Sequence, residues 1–242
     1  MTGPSTAAPA TTSPEPVSSP PPALLFDLDG TLIDSVYQHV LAWREALNEF
    51  GMDLAIWRIH RRIGMSGGLF VTALSRETGR PLSDEQVRAL TDAHVRAYAR
   101  LRESVRPLPG APELLAALTE QGVTWAIATS GMAASARSAL ALLGLPETTP
   151  MVTRDQVRYA KPDPDLFLTA AARVGVDARH AIVVGDSVWD LLAARRAGAL
   201  GVGLLSGGYG REELERAGAY RVYADPADLL AHLDEIGVRR AR

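Results

Sequence analysis

The stretch Ala23-Leu24-Leu25-Phe26-Asp27-Leu28-Asp29-Gly30-Thr31 decides the fold class of this 242-residue chain. Its first four residues form a short apolar run, which is typical of a parallel strand buried on both faces. Two carboxylates two positions apart follow, and then a glycine and a hydroxyl. Open α/β sheets bind ligands beyond the carboxyl ends of their strands. Because two carboxylates this close repel each other unless a cation lies between them or one is protonated, the stretch predicts a metal-dependent site with a reactive carboxylate.

Strand patterns recur along the chain, and helical patterns lie between most of them. The predicted strands cover residues 23–28, 123–129, 151–153, 181–185, 201–205 and 220–223, and the predicted helices between them cover 112–121, 133–143, 165–174 and 188–197. Such alternation predicts an α/β fold with a doubly wound parallel sheet.

One interval breaks this alternation. About ninety residues without a good strand pattern separate the first two predicted strands, whereas a crossover needs only about a dozen. Helices are predicted at 35–50, 54–63, 69–78 and 83–102, and the last begins with the capping-box pattern Ser83-Asp84-Glu85-Gln86. We therefore predict a helical subdomain at 37–104, inserted into a core of residues 23–36 and 105–242, with hinges near 34–37 and 103–107.

Residues 1–22 differ in composition from the rest of the chain. They hold seven of its sixteen prolines and no lysine or arginine. Such a segment cannot bury enough apolar surface to offset the entropy of ordering it, so we predict a disordered N-terminal tail. The basic start and apolar middle of a secretory signal are both missing.

Composition excludes several function classes. The net charge of −3 and the isoelectric point near 6.0 give no general attraction to nucleic acid or to acidic membranes. No apolar run approaches the ~20 residues of a membrane span. The chain has no cysteine, so it has no disulfide and no thiol nucleophile. We expect no nucleic-acid or membrane partner, and a cytoplasmic location.

Lysine is nearly absent from this chain. Of 25 basic residues, Lys161 is the single lysine and the other 24 are arginine. An ammonium is a compact point charge, whereas a guanidinium is a planar fork. Lys161 lies in Ala160-Lys161-Pro162-Asp163-Pro164-Asp165, a loop stiffened by two prolines, which indicates a site that requires an ammonium. The glycines of a P-loop do not precede it, so that class of nucleotide enzyme is excluded.

Two more strand ends carry polar residues. Gly185-Asp186 follows the predicted strand 181–185, and Asp190 lies four residues further on, on the same face if a helix begins there. The segment Thr129-Ser130-Gly131 follows the strand 123–129 and precedes a helix, where a hydroxyl and free backbone N–H groups suit a phosphate.

A parallel sheet brings its strand ends to one edge, so these groups are predicted to converge. Two carboxylates, a hydroxyl, an ammonium and a second carboxylate pair would then surround one point. This set fits Mg²⁺ held by oxygen ligands beside an anionic phosphoryl group.

The ordered set Asp27-Leu28-Asp29-Gly30-Thr31, Ser130, Lys161 and Gly185-Asp186 with Asp190 resembles the four motifs of the haloacid dehalogenase-like hydrolase superfamily. The resemblance covers the chain from about residue 23 to its end. It implies a Rossmann-like core, and the helical insertion is similar to the cap of the phosphoglycolate phosphatase and β-phosphoglucomutase branch.

The resemblance also implies roles for these residues. Asp27 would be the nucleophile, and Asp29 would be general acid and then general base. Mg²⁺ would be held by Asp27, the backbone carbonyl of Asp29 and Asp186, with Asp190 in support. Lys161 would neutralise the nucleophile and the transferring group. The phosphate-binding residues implied are Thr31, Ser130, Gly131 and Lys161.

Within the superfamily, several branches fit the sequence less well. Haloacid dehalogenases and phosphonate-cleaving relatives lack the second carboxylate, which is present here as Asp29. Mutases of the β-phosphoglucomutase type usually carry Glu where this chain has Gly185, and they carry a cap lysine, which residues 37–104 lack. The expected function is therefore Mg²⁺-dependent hydrolysis of a small phosphorylated metabolite, such as phosphoglycolate or a sugar phosphate, by a monomer or homodimer. A phosphomutase and a non-catalytic scaffold that retains the fold stay open as alternatives.

Three further features of the sequence give predictions. Arg58, Arg61 and Arg62 form one face of a predicted cap helix, and the hypothesis is that the loop 64–68 closes over the site while one of these arginines binds a substrate anion. The alternative is that these arginines form a solvated basic face. The five glycines of segment 201–210 match no dinucleotide fingerprint and indicate a turn. The five histidines are scattered, without zinc spacing, and only His39 is expected near the nucleophile.

Overall fold

The computed structural model describes residues 21–65, 67–79 and 81–238. The predicted disordered tail at 1–22 therefore lies outside the described residues, except for its last two prolines. Within the described ranges, no helix has both the length and the apolar character needed to span a bilayer.

Eight strands are present in the described part of the chain. They are β1 (Ala23–Phe26), β2 (Ile33–Asp34), β3 (Arg106–Pro107), β4 (Trp125–Ala128), β5 (Met151–Val152), β6 (Ala181–Gly185), β7 (Leu200–Leu204) and β8 (Ala219–Tyr223). Six of them form one parallel sheet in the order β5-β4-β1-β6-β7-β8. The predicted α/β fold with a doubly wound parallel sheet is confirmed, and each predicted strand of the sheet is found within a few residues of its expected position.

The central strand shows why this sequence forms a buried sheet. Its residues alternate between two apolar clusters: Leu24 and Phe26 face one, and Leu25 faces the other. All three are fully buried. Because both faces of the strand are buried, its sequence is a continuous apolar run and does not alternate between apolar and polar residues.

Helices cover both faces of the sheet. The core helices are α5 (Ala111–Glu120), α6 (Ala133–Leu142), α7 (Asp165–Arg173), α8 (Val188–Ala197), α9 (Arg211–Ala217) and α10 (Pro226–Ala231). Helices α5, α6 and α10 supply the cluster that contains Phe26, and α7 and α8 supply the cluster that contains Leu25. The sequence did not predict the short helices α9 and α10.

Four helices form the insertion between β2 and β3. They are α1 (Val36–Glu49), α2 (Ile56–His60), α3 (Gly67–Thr78) and α4 (Asp84–Leu101). They enclose an apolar cluster of their own, in which Trp43, Phe70 and Leu90 are buried. The predicted capping box at the start of α4 is present: the Ser83 hydroxyl accepts from the Gln86 backbone N–H at 3.2 Å, and the Gln86 side chain accepts from the Ser83 N–H at 2.9 Å.

The two chain connections to the insertion pair with each other. Ile33 lies opposite Pro107 and Asp34 opposite Arg106 in the antiparallel ladder of β2 and β3. The sequence predicted hinges here and no strands, because two residues are too few to show a strand pattern. The insertion is thus joined to the core by a paired double connection.

Candidate active site

The carboxyl ends of neighbouring strands bring the predicted residues together. Asp27 follows β1, and its backbone N–H donates to Val184 O of β6 at 2.9 Å. Asp186 follows β6 directly, and Ser130 follows β4 on the other side of β1. Lys161 reaches the same edge from the long loop after β5.

Lys161 is the centre of this arrangement. Its side chain is fully buried, and its ammonium donates to Oδ1 of Asp27 and lies 2.8 Å from Oδ1 of Asp190. The ammonium also lies 4.9 Å from the centroid of the Phe167 ring. Burial works to lower the pKa of Lys161, but the charges of Asp190 and Asp27 outweigh burial and raise the pKa. Lys161 is therefore a permanent cation between two carboxylates.

Asp27 has an unusual proton affinity. Burial raises its pKa to about 7, the negative charges of Asp190 and Asp29 act in the same direction, and Lys161 opposes them. The side chain of Asp27 would thus carry a proton part of the time near neutral pH, unless further positive charge is supplied.

Three buried carboxylates form a group that suits a hard cation. Oxygens of Asp27, Asp186 and Asp190 lie within 4.8 Å of one another. Burial, followed by the charges of Asp190 and Asp27, raises the pKa of Asp186 well above its ordinary value. One ammonium cannot balance three buried negative charges, and oxygen ligands of this kind are those that Mg²⁺ prefers. The residues present therefore fit the predicted metal ion.

Two neighbours fix the orientation of Asp186. The buried Thr31 hydroxyl donates to its Oδ1 at 3.0 Å. On the other side, a Cβ added to Gly207 would overlap Oδ2, so only glycine leaves room for the carboxylate. Thr31, which was predicted to bind substrate, contacts Asp186 in this structure. Gly207 was missed, because the glycines of segment 201–210 were interpreted as a turn without a functional contact.

Asp190 is held at the start of α8. Its Oδ2 accepts from the Ser187 backbone N–H at 3.1 Å and from the Ser187 hydroxyl at 2.5 Å. A Cβ at Gly185 would overlap the Asp190 side chain. A larger residue at position 185 is therefore incompatible with Asp190 in this place.

Asp29 points away from the carboxylate group and toward the helical insertion. Its Oδ1 accepts from the Ser35 hydroxyl at 2.7 Å and lies 3.2 Å from Nε2 of His39, while Oδ2 lies 3.5 Å from the Thr129 hydroxyl. Burial works to raise the pKa of Asp29, but His39 and the hydrogen bonds outweigh burial and lower the pKa. The two aspartates of the first motif thus have separate surroundings.

His39 continues the contacts of Asp29 into the insertion. Its Nδ1 lies 3.2 Å from Nε2 of His94 on α4, and its ring stacks on Tyr98 with centroids 3.9 Å apart. A cavity of about 20 Å³ beside Asp29 has room for about one water molecule. His39 was expected near the site, whereas Ser35, His94 and Tyr98 carried no recognisable sequence signal.

The segment Thr129-Ser130-Gly131 lies beside the loop that follows α2. The Ser130 hydroxyl donates to Gly64 O at 2.9 Å, and the Gly131 N–H donates to the Thr129 hydroxyl at 2.9 Å. Gly64, the first residue of the predicted loop 64–68, therefore reaches the edge of the sheet where the site lies, whereas Gly67 and Gly68 belong to α3.

The end of α2 also contacts the core. The backbone carbonyl of Arg61 accepts from Trp189 Nε1 at 3.2 Å and from the Tyr209 hydroxyl at 2.9 Å, and its guanidinium pairs with Glu213. Burial raises the pKa of the Tyr209 hydroxyl, so this group stays protonated. These contacts hold the insertion against the core on the side of Asp186.

One of the three arginines in and just after α2 was suggested as the ligand of a substrate anion. The structure pairs each with a carboxylate: Arg58 and Arg62 with Glu77, and Arg61 with Glu213. The three arginines thus share two carboxylates, and the geometry does not single out any of them for a substrate.

Comparison with known proteins adds independent findings. A family model described as haloacid dehalogenase-like hydrolase matches residues 21–198. A protein named "Probable phosphatase IndB" from Dickeya dadantii is 37% identical over 205 residues, which cover 81% of this chain and 86% of that protein. A phosphoglycolate phosphatase from Caulobacter vibrioides is 33% identical over 199 residues, or 81% of this chain and 84% of that protein.

A solved structure matches as well. The crystal structure of a hydrolase from Pseudomonas syringae has a TM-score of 0.88 and 56% sequence identity. The alignment covers 90% of this chain and 100% of that one. The similarity therefore extends over the sheet, the insertion and the described site.

Proposed function

Because this chain belongs to the haloacid dehalogenase-like hydrolases and is a phosphatase of small substrates, we propose that it hydrolyses a phosphomonoester through an aspartyl-phosphate on Asp27, with Mg²⁺ as cofactor. The observation that carries this proposal is the buried contact of Lys161 with both Asp27 and Asp190, beside the carboxylate of Asp186. The single lysine of the chain contacts the carboxylate that would react, and a compact ammonium suits this position.

Asp27, Asp186 and the backbone carbonyl of Asp29 would hold the Mg²⁺ ion, and Asp190 would support them. When bound, Mg²⁺ supplies positive charge that stabilises the transferring phosphoryl group and keeps Asp27 ionised. Lys161, whose ammonium contacts Asp27, supplies the remaining charge. Phosphoryl transfer depends mainly on such positioning and charge stabilisation.

In the first step, a carboxylate oxygen of Asp27 attacks phosphorus. The bond between phosphorus and the ester oxygen breaks, and its electron pair stays on that oxygen. A proton held between Asp29 and His39, whose Oδ1 and Nε2 are 3.2 Å apart, passes to the leaving oxygen, and the alcohol departs.

In the second step, a water molecule attacks phosphorus and gives a proton to the Asp29 carboxylate. The bond between phosphorus and the Asp27 oxygen breaks, and the electron pair returns to Asp27. Inorganic phosphate leaves, and both aspartates regain their starting states. Because its pKa is lowered, the Asp29 side chain is ionised and available to accept this proton.

Ser130, the Gly131 N–H and Lys161 would bind the phosphate oxygens. A hydroxyl has one proton to donate, so Ser130 would exchange Gly64 O for a phosphate oxygen when substrate binds. Thr31, which belongs to the predicted phosphate-binding group, would contribute by holding Asp186 in place.

We propose further that residues 37–104 act as a mobile cap. The contacts of Arg61 and Gly64 with the core close the site, so the cap would turn about the β2–β3 connection to admit substrate. Phosphoglycolate and small sugar phosphates are the substrate candidates. A cytoplasmic location and a monomeric or homodimeric state remain predictions from the sequence.

A panel of phosphorylated metabolites tests the function. Phosphate release is measured with Mg²⁺ and with excess chelator, and the metabolites are ranked by kcat/KM. The expected result is Mg²⁺-dependent hydrolysis that Asp27→Asn abolishes, whereas Asp234→Asn, which changes an exposed aspartate outside the site, behaves like wild type.

Two outcomes would replace the proposal. Isomerisation of a sugar phosphate faster than its hydrolysis would indicate a phosphomutase. If no metabolite is turned over in a metal-dependent way and Asp27→Asn matches wild type, the protein is a scaffold that retains the fold.

A further inference from the structure

We propose that His94 is a positioning residue for Asp29 and that it acts by fixing the orientation of the His39 ring. This inference rests on the function proposed above, in which Asp29 is the general acid and base. His39 lies on α1 and His94 on α4, so both belong to the insertion, whereas Asp29 belongs to the core.

The three side chains form a continuous series of polar contacts. Nε2 of His39 lies 3.2 Å from Oδ1 of Asp29, and Nδ1 of the same ring lies 3.2 Å from Nε2 of His94. Both ring nitrogens of His39 are therefore engaged, one toward the core and one toward the insertion.

Stacking alone leaves the His39 ring with two equivalent orientations. The ring lies parallel to Tyr98, with an angle of 2° between planes and 3.9 Å between centroids. A half-turn about the Cβ–Cγ bond would preserve this stack but exchange Nε2 for Cε1 beside Asp29. In that orientation Asp29 would lose its hydrogen-bond partner.

The contact with His94 removes this ambiguity. A half-turn of the His39 ring would place Cδ2 where Nδ1 now meets His94, so the flipped ring loses both polar contacts at once. His94 is itself held by its stack on Trp43, with centroids 4.2 Å apart and an angle of 17° between planes. Burial, together with the charge of His39, lowers the pKa of His94, so its ring is neutral and can either donate or accept at Nε2.

The fixed ring has a chemical consequence for the first step of the reaction. The fixed ring keeps Nε2 of His39 beside Oδ1 of Asp29, where the proton for the leaving oxygen would be held, and this matters when the leaving alcohol is a poor one. A 4-nitrophenolate leaves without protonation, whereas an alkoxide does not. The value of kcat/KM reports the steps up to departure of the alcohol, so it isolates this effect from the later attack by water.

The test compares His94→Phe, which retains an aromatic ring for Trp43 but no nitrogen, with His94→Gln, which retains polar atoms. Each variant is assayed on 4-nitrophenyl phosphate and on the best alkyl phosphate of the panel. His94→Phe is expected to lower kcat/KM about 10- to 100-fold on the alkyl ester and at most about threefold on the aryl ester. His94→Gln is expected to restore most of the loss, and His180→Phe, at an exposed histidine, should change neither value.

An equal loss on both substrates, or no loss on either, overturns the inference. His94→Leu, assayed in the same way, replaces His94→Phe if that variant does not fold, and the same outcomes decide. A wild-type protein without Mg²⁺-dependent turnover contradicts the proposed function instead, so the two failures are distinguishable.

Discussion

The ammonium of Lys161 lies 2.8 Å from Oδ1 of Asp190, and both side chains are buried. The same ammonium contacts Asp27, so one cation joins the first and last motifs of the sequence inside the protein. A buried charge is tolerated only when it is paired. The two partners here follow the carboxyl ends of β1 and β6, which are neighbouring parallel strands of the sheet. Stability and chemistry at this site therefore depend on the same contact.

Removal of this cation should destabilise the protein. In Lys161→Met, the carboxylates of Asp27, Asp186 and Asp190 would share a buried site without an ammonium. Loss of one partner of a buried pair typically lowers the free energy of unfolding by about 3–5 kcal/mol. Urea unfolding at neutral pH measures the change, and hydrolysis should be lost as well.

Arg196→Met is the matched control for this substitution. Arg196 pairs with Asp163, two residues from Lys161 in the chain, but both side chains are about half exposed. Exposed pairs contribute at most about 1 kcal/mol. If Lys161→Met and Arg196→Met lower the free energy of unfolding equally, the claim that the buried contacts of Lys161 stabilise the protein is wrong.

Mg²⁺ should stabilise the folded protein, and more strongly as the pH rises. Burial raises the pKa of Asp27 to about 7 and that of Asp186 well above normal, so the metal-free fold binds protons that the unfolded chain has already released. Stability without metal should therefore fall as the pH rises from about 4 to about 7. Mg²⁺ must displace these protons, so its affinity increases over the same range.

Thermal unfolding with and without Mg²⁺ measures this dependence. At a Mg²⁺ concentration 100 times the dissociation constant, the ion adds about 2.7 kcal/mol to the free energy of unfolding. At one fixed Mg²⁺ concentration, the increase in Tm should be larger near pH 8 than near pH 6. Asp186→Asn should lose most of the increase. A metal effect of the same size in Asp186→Asn, or one that weakens as the pH rises, would place the ion elsewhere.

Gly207 should be required for the orientation of Asp186. In Gly207→Ala, the added Cβ would overlap Oδ2 of Asp186, so the carboxylate has to move. We expect weaker Mg²⁺ binding, seen as a higher Mg²⁺ concentration for half-maximal phosphate release. Gly210→Ala is the control, because a Cβ there meets Glu213 at an ordinary 3.4 Å. If both variants match wild type, Gly207 does not constrain the site.

The sequence predicted the parts of the fold that repeat a simple pattern. The strand Ala23–Phe26 was recognisable because both of its faces are buried, which gives an uninterrupted apolar run before Asp27. Lys161 was recognisable because the chain uses arginine at all its other basic positions. Both signals are local or compositional, so they need no knowledge of distant contacts.

Contacts between distant segments were not predictable in the same way. The ladder of β2 and β3 pairs two residues with two others across the whole insertion, and no periodicity can appear over such a length. The pairing of Arg61 with Glu213 joins residues far apart in sequence. The need for glycine at position 207 can be recognised only when the structure shows that Asp186 lies against it.

The most direct test of the account is to trap the phosphoryl group on the protein. The enzyme is mixed with Mg²⁺ and a substrate labelled in its phosphate, quenched with acid within one turnover, and digested for mass spectrometry. The account predicts a phosphorylated peptide with the modification on Asp27, which is absent from Asp27→Asn and from samples with chelator. Rapid, metal-dependent phosphate release with no label on Asp27, or with undiminished release by Asp27→Asn, would contradict it.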